Sequence, residues 1–171
     1  PGYAAAYIGL GWNQMYWGNN STLSGITNDE KRDSLKTSSL EYLILAKSEY
    51  LDGLEFEEDE VVNMFSGLAY ANSFLAKHRN DESSDALTQT SIDESQELID
   101  FCDENGIEFE FVYHTEIDIN DIYKLRVQNY LRLGEFQNAR DEISNVNYPG
   151  ITVEFYVDLS EEPEYSSGDN F

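Results

Sequence analysis

A mainly α-helical solenoid of about three helix pairs is the fold class this sequence predicts, and three observations predict it. Apolar residues recur at helical spacing in one stretch after another, and clusters of glycine, asparagine and serine punctuate them. The pattern also returns with a period of 58 residues. A chain of 171 residues fits one domain, here residues 1–171.

The elements follow in order. Tyr3, Tyr7, Leu10, Gln14 and Trp17 share one helical stripe, and Gly18-Asn19-Asn20-Ser21 ends it, so the first helix is expected over 3–17. Asp33 has the chemistry of an N-cap for a second helix, about 34–52, which carries Leu40, Leu43, Ile44, Leu51 and Leu54 and stops at Gly53. Val61, Phe65, Leu68, Ala69, Asn72, Leu75 and Ala76 predict a third helix over 57–77, with Glu57, Glu58, Asp59 and Glu60 complementing its positive N-terminus. A polar segment, 79–91, separates it from a fourth helix that Ser91 to Glu94 opens as a capping box and Gly106 closes. Asn120 is read as the cap of a helix over 121–133, broken by Gly134, and Phe136, Ala139, Ile143 and Val146 mark its short partner.

Two segments break the helical rule. Ile107, Phe109, Phe111 and Tyr113 alternate with other residues, as do Ile151, Val153, Phe155 and Val157, so two short strands are expected, about 107–113 and 151–157. An uncovered strand edge there would be a template for a further strand.

The repeat is visible in Tyr7-Ile-Gly-Leu10-Gly11-Trp12, Phe65-Ser-Gly-Leu68-Ala69-Tyr70 and Tyr123-Lys-Leu-Arg126-Val127-Gln128, and the glycine-led exits at Gly53, Gly106 and Gly150 rhyme as well. The units run about 1–56, 57–113 and 114–157, with a tail over 158–171. This organisation resembles the tetratricopeptide repeat. Tyr123, Tyr130, Leu133-Gly134-Glu135-Phe136 and Ala139 are spaced as that family's first-helix aromatics, turn glycine and second-helix small residue, and Pro1, Tyr7, Leu10, Gly11 and Gly18 are similar in spacing. Long connections in the first two units, and Arg126 and Val127 where a leucine and a small residue are expected, depart from the family. The resemblance implies that small residues such as Gly11 and Ala69 let paired helices approach closely.

Charge and composition exclude several classes. With 34 acidic residues against 10 Lys plus Arg the formal charge is −24, which repels nucleic-acid backbones and anionic headgroups. No apolar run is long enough for membrane insertion. The hydrophobic fraction of 40%, with 12 Tyr, 9 Phe and 2 Trp, is too rich for a disordered acidic chain. A single cysteine, Cys102, forms no internal disulfide and reads as core, and with His78 and His114 scattered no metal site or sulfur-bound cofactor is indicated. No cofactor is expected.

For chemistry, Glu108 with Glu110, and Glu55, Glu57 and Asp59, are carboxylate pairs of the kind glycosidases use, but one residue in five is acidic and solvated surface explains them. Neither Asp118-Ile-Asn120-Asp121 nor Asp103-Glu104-Asn105-Gly106 completes a calcium loop. No nucleophile elbow or phosphate loop is present, and His114 reads as a titrating surface neighbour. No catalytic residue is expected. Asn19 and Asn20 open overlapping glycosylation sequons that matter if the protein is exported.

The resemblance implies a concave groove lined by first-helix positions. Translation by 58 places Trp12, Tyr70 and Gln128 in one row and Tyr16, Phe74 and Arg132 in the next. Flat rings there would suit a peptide, a protein segment or a glycan. The expectation is therefore a non-enzymatic interaction and scaffold module of an exported, lipoprotein-like bacterial protein, periplasmic, cell-surface or extracellular. The alternative is a subunit of a self-assembling, glycosylated extracellular fibre, partnered by itself, with uncapped repeat ends as contacts.

Overall fold

The structure is a computed structural model that describes residues 3–19, 29–109 and 118–146. They form α1 (Tyr3–Asn19), α2 (Asp29–Leu51), α3 (Glu58–Arg79), α4 (Ser84–Asn105), α5 (Ile119–Leu133) and α6 (Phe136–Ile143). The helices pack as consecutive hairpins, α1 on α2, α3 on α4 and α5 on α6. Each hairpin leans on the next through α2 against α3 and α4 against α5, and α3 also touches α1 and α5.

Helix α3 therefore sits at the centre, and its sequence is suited to that place. Nine consecutive residues, Val61 to Ala69, are buried, which a helix covered on one side alone does not do. Its ends are well made. Glu57 and Glu60 form a capping box, carboxylates fill the first turn, and Lys77, His78 and Arg79 fill the last.

Leu43 of α2 is the wedge that sets the spacing. It is fully buried, and a Cβ placed on Gly11 would stand 2.6 Å from its Cγ, while one on Gly67 would stand 2.8 Å from its Cδ2. Two glycines on two helices thus leave the space that one leucine fills. Each of the first two hairpins is also tied by a serine to a carbonyl of its first helix. Ser39 Oγ donates to the Gly11 carbonyl at 2.7 Å, and Ser91 Oγ donates to the Ala69 carbonyl at 2.6 Å. Gly11 and Ala69 are 58 residues apart, so the sequence period returns as the same hydrogen bond.

Several expectations are corrected. The fold class with two short strands is wrong in its β content, because there is no strand among the described residues. Ile107 to Phe109 leave α4 in irregular backbone, and their alternation has another cause: Phe109 is buried in the core and Ile107 packs against it while Glu108 faces solvent. Residues 110–113, the second expected strand at 151–157 and the tail 158–171 lie outside the described residues.

Helix α2 begins at Asp29, not 34, and Asp33 is no cap. Its carboxylate takes the Arg79 guanidinium, with Nε donating to Oδ1 at 2.8 Å, which pulls the α2 N-terminus onto the end of α3. Helix α4 begins at Ser84, so the polar segment before Ser91 is mostly helical and Ser91 is an interior residue. Asp118, not Asn120, caps α5, accepting from the Asn120 amide at 2.8 Å. Gly134 ends α5 at φ 74°, a left-handed turn that a side chain would strain.

Candidate functional site

The predicted groove residues divide by what their helices do with them. Trp12 of α1 is half-buried, its indole N–H donating to the Asn63 carbonyl of α3 at 2.9 Å, which satisfies a donor that burial would otherwise strand. Its ring lies 6.1 Å from that of Tyr70, and Tyr70 lies 5.5 Å from Phe74. Trp12, Tyr70 and Phe74 thus form one run of rings across α1 and α3, seated against the core. Tyr16 stands 61% exposed on α1, and Gln128 is exposed on α5.

Arg132 is held differently. Its Nη1 donates to Asn129 Oδ1 at 3.2 Å and reaches the Ser73 carbonyl at 3.4 Å and Thr88 Oγ1 at 3.5 Å. No carboxylate pairs with it among the described residues. Burial alone lowers its pKa below the usual guanidinium value. In a chain of net charge −24 this cation, beside the residue that precedes Phe74, faces neutral acceptors among the described residues.

A buried polar seam that sequence reading missed joins the same helices. Asn129 Nδ2 donates to Ser91 Oγ at 2.8 Å, Ser91 donates on to Ala69, and Ser73 Oγ donates to Asn129 Oδ1 at 2.9 Å, joining α3, α4 and α5. Arg126 and Glu142 form an ion pair between α5 and α6, both nearly buried, and Arg126 Nη1 also donates to the Ile92 carbonyl at 3.2 Å. The only signal for these partners was a set of polar residues on apolar stripes.

Other candidates resolve into structure. An open cleft of about 540 Å³ is lined by Asp29, Glu30, Asp33, His78, Arg79 and Asp81. Its central carboxylate is already engaged: the hydrogen bond from Arg79 holds Asp33 below the usual carboxylate value, so it is a poor proton donor. Cys102 is buried and desolvation pushes its thiol up to about 11, which leaves little thiolate for nucleophilic work. Burial pushes the Glu94 carboxyl upward, and that carboxylate is taken by Lys47 at 2.7 Å.

Glu55, Glu57 and Asp59 are exposed around the α3 N-terminus, and Glu108 is exposed. Asp118 and Asp121 form the α5 capping box. Asn19 ends α1 on the surface, while Asn20, Glu110 and His114 lie outside the described residues. Among the described residues no group of three or more His, Cys, Asp or Glu side chains converges on a metal position, and no helix is long and apolar enough to cross a membrane. No protein-family model, curated protein or solved structure matches the chain.

Proposed function

We propose that this chain is a non-enzymatic interaction module of the tetratricopeptide-repeat type that takes a peptide segment of a protein partner along its first helices. The observation that carries the reading is the run of Trp12, Tyr70 and Phe74 on two adjacent first helices, followed on the third by an arginine that pairs with no carboxylate among the described residues. Rings fixed by a scaffold offer contact area at little entropic cost. An arginine surrounded by neutral acceptors gains more from an incoming carboxylate than one already paired. The ligand this favours is a segment with apolar side chains for the rings and a carboxylate for Arg132.

Peptides selected on the full chain from a displayed random library test the reading. Phe74→Ala and Arg132→Gln are expected to weaken the selected peptides about tenfold or more, which corresponds to about 1.4 kcal/mol, while Glu97→Ala on exposed α4 leaves them unchanged. Equal binding by all three variants, each checked for helix content, would sink the groove reading.

A further inference from the structure

Two arginines of this chain hold a carboxylate by the same edge of the guanidinium. Arg79 donates from Nε to Asp33 Oδ1 at 2.8 Å and from Nη2 to Asp33 Oδ2 at 3.1 Å. Arg126 does likewise to Glu142, from Nε to Oε1 and from Nη2 to Oε2. Two parallel bonds from one planar edge give a guanidinium both its strength and its selectivity for a carboxylate. Arg132 uses the opposite side. Its hydrogen bonds leave from Nη1, toward Asn129 Oδ1, the Ser73 carbonyl and Thr88 Oγ1, and its Nε and Nη2 have no partner among the described residues. Neither nitrogen is a buried orphan, so the edge they form is open to solvent. Burial, with no nearby charge contributing, is what lowers the pKa of this side chain.

Asn129 is what turns that edge outward. It is fully buried, so both ends of its amide must be satisfied within the protein. Ser91 gives its single proton to the Ala69 carbonyl at 2.6 Å, and therefore accepts from Asn129, whose Nδ2 supplies that bond at 2.8 Å. Oδ1 is thereby directed at Ser73 Oγ, 2.9 Å away, and at Arg132 Nη1, 3.2 Å away. An aspartate at this position would give Arg132 a counter-ion of its own. The amide holds the guanidinium and leaves its charge uncompensated.

We infer that the Nε–Nη2 edge of Arg132 is a bidentate carboxylate site and that Asn129 is its positioning residue. The inference rests on the groove reading for the source of the carboxylate, which is an acidic side chain or the C-terminus of the bound segment. A single cation in a chain of −24 suits a monoanion better than a phosphate dianion.

Titration of the full chain with sodium acetate tests it, followed by the nitrogen–proton NMR signal of Arg132 Nε, which is assigned by its loss in Arg132→Lys. A saturable shift is expected, absent with acetamide and with sodium chloride at the same ionic strength, while the Nε signals of Arg79 and Arg126 stay in place because their edges are taken. Asn129→Asp, checked for helix content, is expected to raise the acetate midpoint about tenfold or more. In the parent protein, separate Nη1 and Nη2 signals at low temperature report the anchor whether or not that variant folds. A response that never saturates, one equalled by chloride or acetamide, an unchanged midpoint in folded Asn129→Asp, or averaged Nη signals would each overturn the inference. A library that yields no peptide sinks the groove reading alone, because acetate reads Arg132 without one. With peptides in hand, converting their acidic side chains to amides and amidating their C-termini separates the two sources, and binding indifferent to both changes overturns the inference.

Discussion

Replacing Arg126 with methionine probes the least expected feature of the fold. The position corresponds to Leu10 and Leu68 in the earlier units, yet it carries a guanidinium that is 6% exposed, paired with a Glu142 carboxylate that is 11% exposed. The same side chain donates to the Ile92 carbonyl and lies 5.8 Å from the Tyr130 ring, so it ties α5 to α4 and to α6 at once. Two effects compete in such a pair. Desolvating both ions costs nearly as much as their attraction returns, so the intact pair contributes little net stability, but removing one member strands the other. Arg126→Met leaves Glu142 buried without its cation and is expected to cost about 3–5 kcal/mol. With an m-value of about 2 kcal/mol per molar urea, the unfolding midpoint falls by about 1.5–2.5 M. Arg126→Met with Glu142→Leu removes the stranded charge and returns to within about 1 kcal/mol of the parent. Urea denaturation followed by circular dichroism measures all three proteins. A single variant costing under about 1 kcal/mol, or a double variant no better than the single, would refute the account of a mutually dependent buried pair.

Two further predictions rest on contacts already described. Gly11→Ala drives a Cβ to 2.6 Å from the fully buried Leu43, so it is expected to destabilise by about 1–3 kcal/mol, and to be partly relieved by Leu43→Ala in the double variant; thermal melts of the set decide it. Asp33→Asn tests the α2–α3 link by pH. The Arg79 hydrogen bond lowers the Asp33 pKa below its ordinary 3.8, so its stabilisation is complete above that value and fades as pH falls through the lower folded value. Both side chains are about a third exposed, so the difference between parent and variant should be about 1 kcal/mol or less at pH 6 and should shrink toward zero at acid pH; a difference that grows on acidification contradicts the pairing.

How much of this was legible in the sequence depended on the kind of signal. Glycines that need a left-handed turn, such as Gly134, marked helix ends well, because that requirement is local. The start of α4 was missed because Ser83 to Thr90 are polar apart from Ala86 and Leu87, and Thr88 and Ser84 bury hydroxyls by bonding to backbone within and across helices. Such bonds look in sequence like loop chemistry. The strand expected at 107–113 failed for a related reason: alternating burial of Ile107 and Phe109 on the end of a helix hairpin produces the same period as a pleated strand. Of the expected groove residues, the period set Trp12 and Tyr70 in one row with Gln128 and put Phe74 in the next with Tyr16 and Arg132, whereas the ring contact of Tyr70 with Phe74 and the engagement of Arg132 with Asn129, Ser73 and Thr88 needed the helices to be in position.

The period also contains information that helical spacing lacks. Spacing finds Tyr3, Tyr7, Leu10, Gln14 and Trp17 at once, and by itself it marks them as the buried face of α1. The face that packs on α2 instead carries Gly11 and Gly18, residues with little hydrophobic signal, because close approach there is limited by volume and the partner leucine supplies the apolar area. Both faces of α3 are buried, since it has a hairpin on either side, and α1 shares its register. In α1 the corresponding stripe, uncharged in so acidic a chain, keeps Tyr3, Leu10 and Trp17 exposed while Tyr7 stacks on Tyr42 of α2, so one spacing pattern serves a buried face in α3 and a partly open one in α1.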